Sequence, residues 1–202
     1  MDSDIAKRLR KTMEKRGINF NLQSGVSSIE PTADNKQVVI SYNQKGQDKQ
    51  ITADIVLIAT GRAANVEGLG LEAAGINCIK QGIETNNNYE TNIPGVYAIG
   101  DVNGKQMLAH AASFQGMRVV NKILNKEDKI RFDIMPAAVF TYPEAGSVGM
   151  SEDACKKDGI KCIVKKGFYR ANGKALAMEE TEGMLKVIAN EEGKIIGCHV
   201  FG

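Results

Sequence analysis

Ile5, Leu9 and Met13 recur every four positions, which gathers them on one face of a helix over residues 4–16. Asp2, Ser3 and Asp4 stand ahead of that helix as candidate caps, and Gly17 follows it as a stop. The period then changes. Ile18, Phe20 and Leu22 alternate as strand residues do, and a second short strand is expected at residues 26–29. Residues 38–42 and 50–51, separated by the turn NQKGQD, predict a β-hairpin. The run IVLIA at 55–59 has no polar position at all, the pattern of a strand buried on both faces of a parallel sheet. Residues 63–92 loosen into a crossover with an apolar knot at Leu69 and Leu71 and a small strand near 82–85. A second buried strand is expected at 96–99, and apolar residues at 108, 111, 112, 119, 120, 123 and 124 give the helical period of the next element. Beyond Asp133 the texture turns to strands: AAVF, a short helix from Ser151, CIVKKGFY, MLKVIA, the turn NEEGK and IIGCHVFG. This tail predicts an antiparallel sheet in a separate domain, with a boundary near residues 126–136. The fold class is α/β.

Composition narrows the partners. The net charge is +2, with basic residues scattered, so no nucleic-acid or membrane-surface footprint is expected. The longest clean apolar run, Ile55 to Ala59, is far short of the ~20 residues a membrane helix needs. The N-terminal MDSDIAKRLRK lacks the apolar core of a signal peptide, and the chain reads as cytoplasmic. Cys78, Cys155, Cys162 and Cys198 show no CxxC or CxxxxC spacing, so reduced thiols are expected, with no metal site. A small-molecule or protein partner remains.

The chemistry concentrates in TNIPGVYAIGDVNGKQMLAHAASFQG, residues 91–116. Here an apolar strand runs into Asp101, and an acid at the end of a buried strand is costly unless hydrogen bonds receive it. In doubly wound α/β proteins ligands bind beyond the carboxyl ends of the strands. Gly100 permits a tight turn and a close ligand approach, while Asp101 can accept hydrogen bonds from ligand hydroxyls. The helix starting near Met107 directs free N–H groups and the positive end of its dipole at the same place. Capping of the following helix or turn is the other reading of Asp101, and spacing alone leaves both open.

The segments DIVLIATGR, EGLGLEAAGI, TNIPGVYAIGDV, MLAHAA, AAVFTYPEAGSVGMSE and YRANGKALAMEETEGMLKVI together resemble the flavin-dependent pyridine nucleotide-disulfide oxidoreductases, in their dihydrolipoamide dehydrogenase branch. The resemblance runs over essentially the whole chain in the family's order. It implies partial FAD/NAD-binding Rossmann-like domains followed by part of an α+β dimerisation domain. The divisions would be residues 1–62 for the C-terminal half of the NAD domain, 63–130 for the central part of the FAD domain, and 131–202 for the first part of the dimerisation domain. It further implies that Asp101 holds the ribitol of FAD and that Met107, Leu108, Ala109 and His110 line the flavin ring through their main chain. His110 is then a backbone contact rather than an acid or base. Gly61 would lie against NAD and Val26 on its adenosine side. Ala64 and Tyr142 depart from the family's usual Pro and His, which touches loop rigidity and interface detail rather than chemistry.

A complete member of the family also carries GxGxxG fingerprints, a CxxxxC redox disulfide and a C-terminal HPTxxE histidine, and none of these motifs occurs here. The chain is therefore expected to be an interior segment that contributes cofactor contacts and no catalytic residue. His199 shares a strand face with Gly197 and Phe201 and reads as an ordinary strand residue. The resemblance implies a homodimer and, as partner, a lipoyl domain or the core of a 2-oxo-acid dehydrogenase complex. Two alternatives stand beside it: a catalytically inactive binding or dimerisation module, and another flavin-dependent disulfide reductase.

Overall fold

The expected first helix forms as α1 (Ser3–Lys15), which buries Ile5, Leu9 and Thr12 and carries Asp4 in its first turn and Lys15 in its last, matching the helix dipole at both ends. This computed structural model describes all of residues 1–202. Asp2 starts the helix: its carbonyl accepts from Ala6 N–H at 3.0 Å and its carboxylate from Asp4 N–H at 3.0 Å. Gly17, at φ +89°, ends it in the left-handed conformation that glycine tolerates.

Contacts divide the chain into two compact units, residues 13–61 and residues 1–12 with 62–202. The smaller unit is an antiparallel meander of β1 (Ser24–Pro31), β2 (Val38–Gln44) and β3 (Gln47–Ala53), in that order. The β2–β3 hairpin closes through Lys45 and Gly46, both at positive φ, as a two-residue turn requires, and Asn43 Oδ1 accepts from Gly46 N–H at 2.9 Å. A bulge interrupts the β1–β2 pairing between Val26 and Ser28.

Two expected elements of this unit are absent. Residues 18–22 form no strand. More consequentially, 55–59 is not a buried parallel strand: residues 55–60 pair with nothing, and Ile55, Leu57 and Ile58 are 86%, 88% and 70% exposed. A central parallel strand needs a hydrogen-bonding neighbour along each edge, and every strand pairing in the molecule is antiparallel.

In the larger unit, β4 (Cys78–Ile79) and β5 (Gly82–Ile83) form a small hairpin. The strand expected at 96–99 contracts to a single bridge between Glu90 and Tyr97, although Ala98 is buried. A 3-10 turn over Gly100–Asn103 follows, and then α2 (Ala109–Ile123) with Ala111, Gln115 and Val119 buried. The tail is a five-stranded antiparallel sheet in the order β6-β7-β10-β9-β8, from β6 (Ala137–Val139), β7 (Ala145–Gly149), β8 (Cys162–Phe168), β9 (Met184–Asn190) and β10 (Ile195–Phe201). Short α3 (Glu152–Lys157) is capped by Ser151, whose Oγ accepts from Ala154 N–H at 3.1 Å, and α4 (Gly173–Ala177) by Asn172.

Alternation on β9 and β10 turns Met184, Lys186, Ile188, Gly197, His199 and Phe201 inward. His199 is a strand residue as expected, with Nε2 2.9 Å from Met150 O. Lys186 is the charged exception on this inward face: 1% exposed, its ammonium lies 2.8 and 2.9 Å from the wholly buried Asp2 carboxylate and 2.7 Å from Glu152. Glu152 N–H donates to Asp2 at 3.1 Å, and Ser3 donates to Asp153 through both N–H and hydroxyl at 2.7 Å. The first turn of α1 is thereby tied to α3 and β9.

The four cysteines are free. Burial and the neighbouring Cys162 thiol push the Cys155 thiol up, away from the nucleophilic thiolate.

Candidate cofactor site

Gly100 opens the 3-10 turn at φ +78°, so the chain reverses at a conformation that a side chain disfavours. A Cβ on Gly100 would stand 3.4 Å from Ala112 Cβ, which shows how closely the turn lies on α2. Gly104, at φ +66°, closes the turn through Gly104 N–H to Asp101 O at 3.0 Å. A Cβ there would stand 2.0 Å from the backbone oxygen of Gln81, so the turn rests directly on main chain.

Asp101 projects from this turn with its side chain half exposed. Its carboxylate caps no helix: the 3-10 turn has no side-chain cap, and neither does α2, whose cap residue is Leu108 in an extended conformation. The one ion pair it makes is with Arg62 Nη1 at 3.9 Å, between two exposed groups, where water screens the attraction. Most of its acceptor capacity faces solvent.

The first α-helical bond of α2 runs from Ala112 N–H to Leu108 O at 3.0 Å, so the N–H groups of Ala109, His110 and Ala111 precede the ladder. His110 is exposed on this first turn, and its Nε2 lies 2.8 Å from Pro136 O. Met107 and Leu108 are half-buried, and Ala109 is exposed. Lys105 is held by Thr85 O at 2.9 Å and Asn86 O at 2.7 Å, above the Tyr89 ring; burial pushes its ammonium pKa down.

The structure thus brings Gly100, Asp101, Met107, Leu108, Ala109 and His110 together in one turn and one helix start. Gly61 and Val26 belong to the smaller unit. Gly61 has φ +112° with open space where a Cβ would stand, and Val26 is exposed on β1 opposite Tyr42, beside the bulge. Sequence reasoning missed Arg62, Asn103 and Gln115. The signal for Gln115 was present: it is a polar residue in the apolar stripe of α2, four positions after Ala111 and four before Val119.

Chemically, a solvent-facing carboxylate beside free helix N–H groups suits a ligand that offers hydroxyl donors at one point and anionic or acceptor atoms at the next. Residues 1–116 match the model of the pyridine nucleotide-disulphide oxidoreductases, and residues 135–202 match the dimerisation domain of the same family. The chain belongs to the pyridine nucleotide-disulphide oxidoreductase family.

Its curated relatives are similar along its whole length. It is 37% identical to a mitochondrial dihydrolipoyl dehydrogenase of Arabidopsis thaliana over 99% of this chain and 40% of the relative. It is 39% identical to the dihydrolipoyl dehydrogenase of Chlamydia muridarum over 98% of this chain and 42% of the relative. Among solved structures, LpdA of Mycobacterium tuberculosis superposes with a TM-score of 0.88 at 25% identity, covering 100% of this chain and 43% of LpdA. The HOCl-induced flavoprotein disulfide reductase RclA of Escherichia coli gives 0.82 at 26% identity, covering 98% and 45%. The chain spans 40% of the length of the Arabidopsis relative.

Proposed function

We propose that this chain is the cofactor-facing and dimer-forming part of a flavoenzyme that oxidises dihydrolipoamide to lipoamide and reduces NAD to NADH, through a redox disulfide carried outside these residues. The observation that carries the reading is the turn at Gly100–Asp101 set against the start of α2, in a chain matched to the family over residues 1–116. FAD, when bound, supplies the two-electron step between the disulfide and NAD.

The residues present fit that cofactor. Asp101 offers free acceptor atoms for ribitol hydroxyls, and the main chain of Met107, Leu108, Ala109 and His110 offers the surface for the ring, with the N–H groups of Ala109 and His110 ahead of the helical ladder. The buried Gln115 Nε2, next to the turn, has no protein acceptor. A negative charge on a group held at the N-terminus of α2 would be stabilised by the helix dipole. Gly61 lies against NAD and Val26 on its adenosine side in this reading, which gives the chain no catalytic residue of its own.

The reading divides the chain into residues 1–62 of the NAD domain, 63–130 of the FAD domain and 131–202 of the dimerisation domain. It is supported by the exposed IVLIA run, whose pattern calls for flanking parallel strands that these residues do not supply. The match of residues 135–202 to a dimerisation domain supports a homodimer. A lipoyl domain, or the core of a 2-oxo-acid dehydrogenase complex, is the partner that delivers the dithiol. A cytoplasmic setting suits a chain whose four cysteines are thiols. No helix is long and apolar enough to cross a membrane.

The test is Asp101→Ala in the full-length product of the reading frame, with flavin occupancy measured after dialysis. Loss of FAD is expected; unchanged occupancy refutes the assignment. The likeness to RclA favours a second reading, in which the flavoenzyme serves another disulfide. Turnover with dihydrolipoamide compared with other dithiols and disulfides decides between the two.

A further inference from the structure

The carboxylate of Asp101 makes no hydrogen bond that would fix its turn, yet the turn has a defined place on α2. The group that fixes it is Gln115, wholly buried on that helix. Its Oε1 accepts from Gly100 N–H at 2.8 Å and from Asn103 Nδ2 at 2.8 Å. Asn103 Nδ2 also donates to Ala98 O at 3.0 Å, and Asn103 Oδ1 accepts from Lys105 N–H at 3.0 Å. The network has one consistent orientation. Asn103 Oδ1 is committed to a backbone donor, so its nitrogen faces Ala98 and Gln115, and Gln115 must answer with oxygen. One helix side chain therefore holds the first and last residues of the turn, and through Asn103 the residues on either side of it.

We propose that Gln115 is the positioning residue of the flavin site: it sets the Asp101 turn against the N-terminus of α2, so that the carboxylate and the helix N–H groups meet one ligand together. This rests on the FAD reading of the site given above. Gln115 sits within two turns of Ala109 on the same rigid helix, so the helix N–H groups and the aspartate turn take their position from one element.

Gln115→Leu keeps the bulk and removes the acceptor, leaving two buried donors unanswered. Gln115→Glu keeps an oxygen at the same place. Val119→Ala, one turn further along the buried stripe, weakens α2 without touching the network. FAD affinity is read by quenching of flavin fluorescence on the full-length product, well below each variant's Tm. Gln115→Leu is expected to raise the Kd about tenfold or more, equivalent to about 1.4 kcal/mol. Gln115→Glu is expected to restore binding to within about threefold, with Val119→Ala likewise near the parent value. Equal weakening by Gln115→Leu and Val119→Ala, or no recovery with Glu, overturns the proposal. Should Gln115→Leu fail to fold, Asn103→Ala cuts the same network outside α2 and carries the same expectation and refutation. Asp101→Ala separates the two levels. If it weakens FAD and the Gln115 variants do not, only the positioning role falls; if it does not, the flavin reading falls first.

Discussion

Lys186→Met tests the ion cluster that ties the first turn of α1 to the sheet. In the native arrangement the ammonium makes three contacts of 2.7–2.9 Å to Asp2 and Glu152, and Lys186 and Asp2 are 1% and 0% exposed. Methionine fills the same volume and leaves the Asp2 carboxylate buried without its counter-charge. Removing one partner of such a pair costs about 3–5 kcal/mol, a large part of the roughly 5–15 kcal/mol that holds a domain together. Burial pushes the Asp2 carboxyl up, but hydrogen bonds from Lys186 and Glu152 N–H outweigh it and leave it below the ordinary carboxylate range. For Lys186 burial pushes down, and the two carboxylates outweigh that and hold it above the ordinary lysine range. The lowered Asp2 therefore contributes stability that is fully present above its unfolded pKa of about 3.9 and is lost as pH falls through its folded value. The raised Lys186 contributes stability present below about 10.4 and lost as pH rises through its folded value. Urea unfolding of both proteins between pH 4 and pH 8 is the assay. The deficit of Lys186→Met should be greatest near neutrality and shrink toward pH 4, where the stranded Asp2 can protonate. Asp2→Asn combined with Lys186→Met should recover part of the loss, because no charge is left buried. A deficit below about 1 kcal/mol, the scale of a surface pair, or one independent of pH, refutes the argument.

Other substitutions separate the structural roles along the chain. Arg62→Ala should leave unfolding free energy within about 0.5 kcal/mol of the parent by urea titration, because its 3.9 Å pair with Asp101 is exposed on both sides. Gly104→Ala places a Cβ against Gln81 O at a positive φ and should lower Tm by about 2–4 °C for each kcal/mol of strain, seen by calorimetry. Ser151→Ala removes the cap of α3 and should cost about 1 kcal/mol in the same titration. In residues 1–202 alone, Leu57→Glu should leave Tm unchanged and reduce light scattering, since Leu57 is 88% exposed there.

How much of this was legible in the sequence follows from where each element finds its partners. α1, the 38–53 hairpin, α2, the Ser151 helix and the strands of the tail were readable because each carries its own periodicity, cap or turn chemistry, whatever partner it finds. The IVLIA run was read as a strand buried on both faces, and residues 55–60 form no strand and stay exposed. Periodicity reports what a segment needs, not whether the other half of the ladder is present. The same applies at 96–99, where Ala98 is buried but Val96 and Ile99 stay exposed and the pairing stops at one bridge. At the candidate site, the acid and the glycine stood out because both break a local rule, an acid after an apolar strand and a turn at positive φ. Gln115 broke one as well, a polar side chain on a buried helical stripe, but its meaning lay in Gly100 and Asn103, twelve or more residues away, and only the folded chain joins them. The buried pairing of Asp2 with Lys186 lies further still from sequence reasoning, 184 positions apart, since Asp2 alone reads as a helix cap and Lys186 alone as an ordinary surface charge. Local rules therefore locate the anomaly. The physical reason for tolerating it comes from the partner that the fold brings to it.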